Sequence, residues 1–358
     1  MVERTLMTGN DAIGEGAIRA GCDAYYGYPI TPQNELTAYM ATHMPRLNRV
    51  FIQAESEIAA INMVFGSVVA GKRAMTSSSS PGISLKQEGI SNLAAAELPA
   101  VIVNVMRGGP GIGNIAPSQG DYFQAVKGGG HGDYRLPVLA PSSVQESHDL
   151  TIEAFALADR YRTPVMILTD GRIGQMMEPL RLHSRPIPPP PPKPWALTGA
   201  KGRKSIFIRS LMLNDGDLEK HNIHLQAKFK KIAAAEVRFQ ETAIEDCDLL
   251  LVAYGTSARV AKSALEEARR NGLRVGLLRP ITLWPFPSQR IAMRSSRCRA
   301  VLCVEMSAGQ MVDDVRLAVN GRTPVLFEGR MGGAVPEARD VFRAIQKALA
   351  PSRKKRTP

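Results

Sequence analysis

The chain has 358 residues, 44% apolar and 22% charged, the make-up of a globular protein with room for two ordinary domains and a connector. No stretch reaches the run of about 20 apolar residues that a membrane span requires, and the opening Met1-Val2-Glu3-Arg4-Thr5-Leu6 is too polar for a secretory signal, so residence in the cytoplasm is expected. The formal charge of +12 is scattered apart from a tail, Ser352-Arg353-Lys354-Lys355-Arg356; with no interleaved aromatics or recognition motif, it suits anionic small ligands or an acidic protein partner rather than nucleic acid.

A helical pattern from Asp11 halts near Gly21, and a short strand over Ala24–Gly27 runs into Tyr28-Pro29-Ile30-Thr31-Pro32. Two prolines so close exclude helix and fix an extended, stiff loop. A strand over Val50–Gln53 feeds an almost wholly apolar helix, Glu55 to Gly71. A strand near Arg73–Thr76, a serine run and a helix near Ser84–Ala96 follow. The strand Val101–Val105 then leads into Arg107 and a glycine-rich loop. Beyond it come a strand near Leu136–Ala140, a helix near Val144–Arg160 and a strand Val165–Leu168. Short apolar strands alternating with helices predict an α/β fold, a parallel sheet covered on both faces.

Residues 183–243 break this rhythm. Pro188 to Pro192, with Pro186 and Pro194 beside them, predict extended polyproline-like chain, a stiff linker in preference to a ligand for a recognition module. A charged helical stretch lies between Leu218 and Glu241. A second α/β unit spans 244–350, with strands at Leu249–Ala253, Val275–Leu278, Val301–Val304 and Val325–Phe327. In it, Gly255-Thr256-Ser257 is expected to open a helix with a hydroxyl cap, Ala258, Ala261, Leu265 and Ala268 form its apolar stripe, and Gly272 stops it. The expected division is therefore 1–182, a connector 183–243, 244–350 and a basic tail 351–358.

One residue stands out on physical grounds. Glu57 shares a helical face with Ala60, Ile61 and Val64, at spacing i, i+3, i+4, i+7. A carboxylate pointing where methyl groups point must be neutral, paired or bound to something; the other reading is a first-turn acid that faces water and complements the helix dipole. Arg107 follows a strand at the edge where α/β folds bind ligands, beside Gly108-Gly109-Pro110-Gly111-Ile112-Gly113. A guanidinium there clamps a carboxylate, or else is a surface arginine beside a loose loop.

The other patterns carry less. The loop after Arg107 lacks the Gly-Lys-Ser/Thr ending of a P-loop, and Gly9, Gly14 and Gly16 have the wrong spacing for a dinucleotide fingerprint. His131, within Gly128-Gly129-Gly130-His131-Gly132-Asp133, reads as a loop histidine without a catalytic role. Cys22, Cys247, Cys298 and Cys303 show no C-x-x-C spacing, so they read as reduced thiols, and no metal site is expected on this chain. The residues alone define a ligand-binding α/β protein with an anion site.

In combination they say more. Tyr28-Pro29-Ile30-Thr31-Pro32, Gln53-Ala54-Glu55-Ser56-Glu57, Thr76-Ser77-Ser78-Ser79-Ser80-Pro81-Gly82 and Val105-Met106-Arg107-Gly108-Gly109-Pro110, in that order, resemble the α subunit of 2-oxoacid:ferredoxin oxidoreductases over nearly the whole chain. Ala253-Tyr254-Gly255-Thr256 and Arg279-Pro280-Ile281-Thr282-Leu283 resemble that family's transketolase-C-terminal-like module. Gly113 to Gln119, Lys127 to Tyr134 and Pro194 to Gly199 are most similar to its branched-chain, 2-oxoisovalerate, branch.

The resemblance implies a doubly wound sheet of the thiamine-diphosphate pyrimidine type and a smaller transketolase-C-terminal-like domain. It implies that Glu57 hydrogen-bonds the aminopyrimidine of thiamine diphosphate, that Pro29, Ile30 and Ser80 line that cofactor, and that Thr31 and Arg107 hold the 2-oxoacid. Coenzyme A takes the acyl group and ferredoxin the electrons. The Gly-Asp-Gly…Asn motif that binds diphosphate and magnesium is missing; Asn214-Asp215-Gly216-Asp217 resembles its start but sits in the polar connector. Mg2+, the iron–sulfur clusters and the diphosphate motif are therefore expected on a β subunit, with γ and ferredoxin-like δ subunits beside it, and this chain alone is expected to be inactive. The rival substrates are 2-oxoglutarate and pyruvate, and the rival class is a non-catalytic α/β binding or regulatory subunit.

Overall fold

The computed structural model describes residues 4–182 and 189–350. The basic tail and the start of the proline run, through Pro188, lie outside the described residues. The chain opens with β1 (Arg4–Thr8), α1 (Gly9–Arg19), β2 (Ala24–Gly27) and α2 (Asn34–Arg46). Next come β3 (Val50–Gln53), α3 (Glu57–Val69), β4 (Ala74–Ser78), α4 (Ser80–Ala95) and β5 (Ala100–Met106). They are followed by α5 (Tyr122–Lys127), β6 (Val138–Leu139), α6 (Val144–Tyr161), β7 (Val165–Asp170), α7 (Gly171–Gln175) and β8 (Met177–Arg181).

The connector region supplies α8 (Asp217–Ala235) and β9 (Phe239–Thr242). The remainder runs β10 (Leu249–Val252), α9 (Gly255–Arg270), β11 (Val275–Pro280), β12 (Thr282–Trp284) and α10 (Ser288–Ser295). Then come β13 (Ala300–Glu305), α11 (Met311–Val319), β14 (Val325–Gly329) and α12 (Ala338–Leu349). No helix among the described residues is long and apolar enough to cross a membrane.

Three sheets form. The largest has the order β12-β6-β7-β5-β4-β2-β3, and the second the order β14-β13-β10-β11-β9. Each is parallel except at one edge, where β12 and β9 run antiparallel. The third is the ribbon β1-β8, also antiparallel. Ile61, Val64, Ile83 and Ile90 pack on one face of the large sheet, and Ile13, Leu36, Met40 and Phe155 on the other. Fully buried side chains of this kind contribute roughly 1.5–3 kcal/mol each.

Four of the structure's departures from the sequence-based elements matter here. Helix α2 follows Pro32 and contains Pro45, so the prolines mask its buried stripe Leu36, Met40 and Met44. The ribbon β1-β8 pairs residues far apart in sequence, which no local pattern shows. Strand β12 leaves the second unit to edge the large sheet, and β9, from the connector, edges the second sheet. Helix α9 has no side-chain cap: Thr256 Oγ1 instead donates to Asp170 Oδ1 at 2.8 Å, and Ser257 Oγ to Gln119 Oε1 at 2.7 Å.

The connector is pinned to the first unit. The Leu197 N–H donates to the Val69 carbonyl, Lys193 pairs with Asp159 at 2.9 Å, and the Arg162 guanidinium stacks over Trp195. Asn214 to Gly216 form the turn that leads into α8, with Asn214 Nδ2 donating to Asp217 Oδ2 at 2.9 Å.

Candidate active site

Strands β3, β2, β4 and β5 are adjacent and parallel, so the segments leaving their carboxyl ends converge. Glu57 follows β3, the Tyr28–Pro32 loop follows β2, Ser78 to Ser80 end β4, and Arg107 follows β5. Parallel α/β sheets bind ligands at this edge.

Glu57 is the first residue of α3. Ser56 caps that helix by accepting from the Ala59 N–H at 3.2 Å. The Glu57 side chain is 6% exposed, on the buried face with Ala60, Ile61 and Val64, whereas Glu55 is exposed. A first-turn acid facing water is thereby excluded. Its carboxyl lies against α4: a Cβ added at Gly82 would fall 2.5 Å from Glu57 Oε1 and closer still to Ser78 Oγ. Only glycine leaves room for both groups. The hydroxyls of Ser78 and Ser79 are buried and, among the described residues, unpartnered.

Arg107 is 9% exposed, so it is no surface arginine. Its Nη1 donates to the Thr31 carbonyl at 3.0 Å and Nη2 to the Ile112 carbonyl at 2.9 Å, while the buried Nε has no partner among the described residues. The guanidinium thus ties the proline loop to the glycine-rich loop. Thr31 is half-buried and its hydroxyl accepts from Asn34 Nδ2 at 3.3 Å. Pro29 is exposed and Ile30 half-buried, on the rim of the same loop.

The Ser80 hydroxyl is already engaged. It donates to Asp121 Oδ2 at 2.6 Å and accepts from the Arg107 N–H at 3.0 Å. Burial raises the Asp121 carboxyl above the usual range, against the lowering effect of Ser80 and Asn104. Ser78 and Ser79, beside Ser80 and fully buried, have hydroxyls without a partner among the described residues. His131 is exposed and lines a separate cleft of about 330 Å³ with Asn92, Leu211 and Leu225; Thr31, Glu57 and Arg107 are absent from that lining. Among the described residues no group of three or more His, Cys, Asp or Glu is placed to hold a metal ion.

The glycine-rich loop is held by the second unit. Asn114 Nδ2 donates to the Gly332 carbonyl at 2.9 Å. Gln119, fully buried, donates from Nε2 to the Tyr254 carbonyl and accepts at Oε1 from Ser257 Oγ and the Met306 N–H. Both Gln119 and the buried lysine of α4, Lys86, are polar residues that the element patterns did not single out. Lys86 could have been found as Glu57 was, because it interrupts the stripe of Ile83 and Ile90.

A parallel sheet with a buried glutamate at its carboxyl edge is joined to a smaller α/β unit, an arrangement that the family matches place in the thiamine-diphosphate class of folds. Residues 15–224 match the family described as pyruvate flavodoxin/ferredoxin oxidoreductase, thiamine diphosphate-binding, and residues 247–341 match pyruvate:ferredoxin oxidoreductase core domain II. The chain belongs to the 2-oxoacid:ferredoxin oxidoreductase family. It is 54% identical to a ketoisovalerate oxidoreductase subunit VorB from Methanothermobacter thermautotrophicus, over 97% of this chain and 98% of that one. A 2-oxoglutarate synthase subunit KorA from the same organism is 36% identical over 97% and 99%. Among solved structures, the 2-oxoglutarate:ferredoxin oxidoreductase from Magnetococcus marinus, with 2-oxoglutarate, coenzyme A and succinyl-CoA bound, superposes with a TM-score of 0.86. The identity is 26%, and the match covers 96% of this chain and 65% of that one. A split-gene transketolase, TM-score 0.57 at 15% identity, shares the fold.

Proposed function

We propose that this chain is the α-type subunit of a coenzyme A-dependent oxidoreductase that oxidatively decarboxylates branched-chain 2-oxoacids and passes the electrons to ferredoxin. The observation that carries the reading is the convergence of Glu57, the Thr31 loop and Arg107 on one sheet edge, beside buried hydroxyls with no partner of their own. The high identity to ketoisovalerate oxidoreductase subunits, against lower identity to 2-oxoglutarate synthase subunits, supports the branched-chain substrate.

The residues fit the pyrimidine end of thiamine diphosphate. A buried carboxyl, a glycine cradle and two spare hydroxyls suit a flat ring bearing nitrogen donors and acceptors. Glu57 holds a hydrogen bond to that ring. Arg107, with its buried Nε still to be paired, takes the carboxylate of the 2-oxoacid, and Thr31, tied to Arg107, orients the oxo group. When bound, thiamine diphosphate supplies the electron sink for loss of carbon dioxide.

The diphosphate, its Mg2+ and the iron–sulfur clusters fall to a β subunit, with γ and ferredoxin-like δ subunits completing a cytoplasmic complex. The test is to co-express the subunits and assay a panel of 2-oxoacids. The highest kcat/KM is expected for 2-oxoisovalerate, and no turnover for the chain alone. A preference for 2-oxoglutarate or pyruvate would overturn the substrate, and turnover by the isolated chain would overturn the division of labour.

A further inference from the structure

The helix that cradles Glu57 also carries a charge that packing alone does not call for. Lys86 is fully buried in α4, and its Nζ donates to Thr76 Oγ1 at 2.6 Å and to the Ser77 carbonyl at 3.3 Å. Methionine would fill this volume without a polar head, and a buried ammonium is costly unless something opposes its charge.

What opposes it is Glu57. The Glu57 carboxyl rests against Gly82, one helical turn before Lys86 on the same face of α4. Helix α3 brings no other charged side chain. Strand β2 brings Tyr25 and Tyr26, β4 and β5 bring no charged group, and Glu88 of α4 itself is exposed. Glutamate and lysine thus flank Thr76, Ser77 and Ser78, a strand end made only of hydroxyls and peptide groups.

We propose that Lys86 is a positioning residue for Glu57, the internal cation set one helical turn from this carboxyl to hold it in place; the inference rests on the role assigned to Glu57 above. Burial draws the Lys86 amine down to about 7, and the Glu57 charge resists that fall. Near neutrality the amine therefore gains and loses its charge. Charged, it attracts the Glu57 carboxyl; neutral, it releases that hold. Lys86 touches neither substrate nor cofactor in this account and acts through Glu57 alone.

The first test needs no turnover: unfolding of the full chain, free of cofactor, between pH 6 and 11. The folded amine sits near 7 against an ordinary 10.5, so its burial destabilises most below pH 7, and the loss is relieved as the pH climbs from about 7 to 10.5. Lys86→Met should therefore melt higher than wild type at pH 6, with a gap that closes across that window. In a Glu57→Gln background the lysine loses its opposing charge, and the closing should begin on the order of one pH unit lower.

Lysine-selective NMR of the wild-type chain reads the same quantity if Lys86→Met does not fold. One lysine should titrate near 7, and lower still in Glu57→Gln. In the assembled enzyme, Lys86→Met should lower kcat on the order of tenfold and shift its pH profile, with KM for the 2-oxoacid changed less than about twofold. A pH-independent gap, a titration indifferent to Glu57→Gln, or an unmoved kcat profile overturns the proposal. If Glu57→Gln itself leaves turnover intact, the assignment of Glu57 falls; if it abolishes turnover while the Lys86 readings stay flat, only the Lys86 inference does.

Discussion

Two buried polar clusters flank the glycine-rich loop, and they differ in how completely they are paired. At the seam between the sheets, both amide atoms of Gln119 are bonded, and Asp170 accepts from Thr256 Oγ1 and from the Arg172 and Ile173 N–H groups. At the carboxyl edge of the large sheet, Ser78 Oγ, Ser79 Oγ and Arg107 Nε are buried without a partner among the described residues. An unpaired buried polar group costs about 1–3 kcal/mol, a cost that a folded chain bears where a ligand will complete the set. On the function proposed above, the seam is architecture and the edge is chemistry.

That contrast can be broken at either cluster. Gln119→Leu should have the largest effect on stability. It strands Ser257 Oγ, the Met306 N–H and the Tyr254 carbonyl, a loss of roughly 3–5 kcal/mol visible in the denaturation midpoint. An unchanged midpoint would remove the seam's structural role.

Arg107→Ala should cost about 2–4 kcal/mol in kcat/KM for the 2-oxoacid and far less for coenzyme A. Equal losses for both would mean that the tie between the Thr31 and Ile112 carbonyls is its whole contribution. Arg107→Lys should be only partly tolerated, because a point charge cannot reach both carbonyls and a carboxylate together.

Ser79→Ala should be the mildest, stabilising the chain or leaving it unchanged within about 1 kcal/mol while weakening retention of thiamine diphosphate by the assembled enzyme. A clear loss of stability would show that the hydroxyl is paired within the fold and not kept for a ligand.

Much of this was legible from the residues. Strands β2, β3 and β5 are short apolar runs between breakers, and Glu57 betrays itself by recurring with Ala60, Ile61 and Val64. What local pattern could not show was where hydroxyls point. Thr256 and Ser257 look like helix caps and instead span the seam, and the Ser80 hydroxyl bonds Asp121 and the Arg107 backbone. Side-chain direction there depends on partners more than 25 residues away in sequence, beyond the reach of any helical or strand period. Lys86 differs from these hydroxyls, because its place between Ile83 and Ile90 on a helical stripe is a local signal of the kind that marks Glu57.

The central claim, that Glu57 is the acid of this edge, is tested most directly by Glu57→Gln in the co-assembled enzyme. The variant keeps the volume and a hydrogen-bond donor but cannot transfer a proton. The account predicts a folded complex that retains thiamine diphosphate, loses roughly 10²-fold or more in turnover, and slows proton exchange at the cofactor's thiazolium carbon in parallel. Glu55→Gln, exposed and just before the helix, should be near neutral. A Glu57→Gln enzyme that exchanges that proton and turns over at the wild-type rate would contradict it.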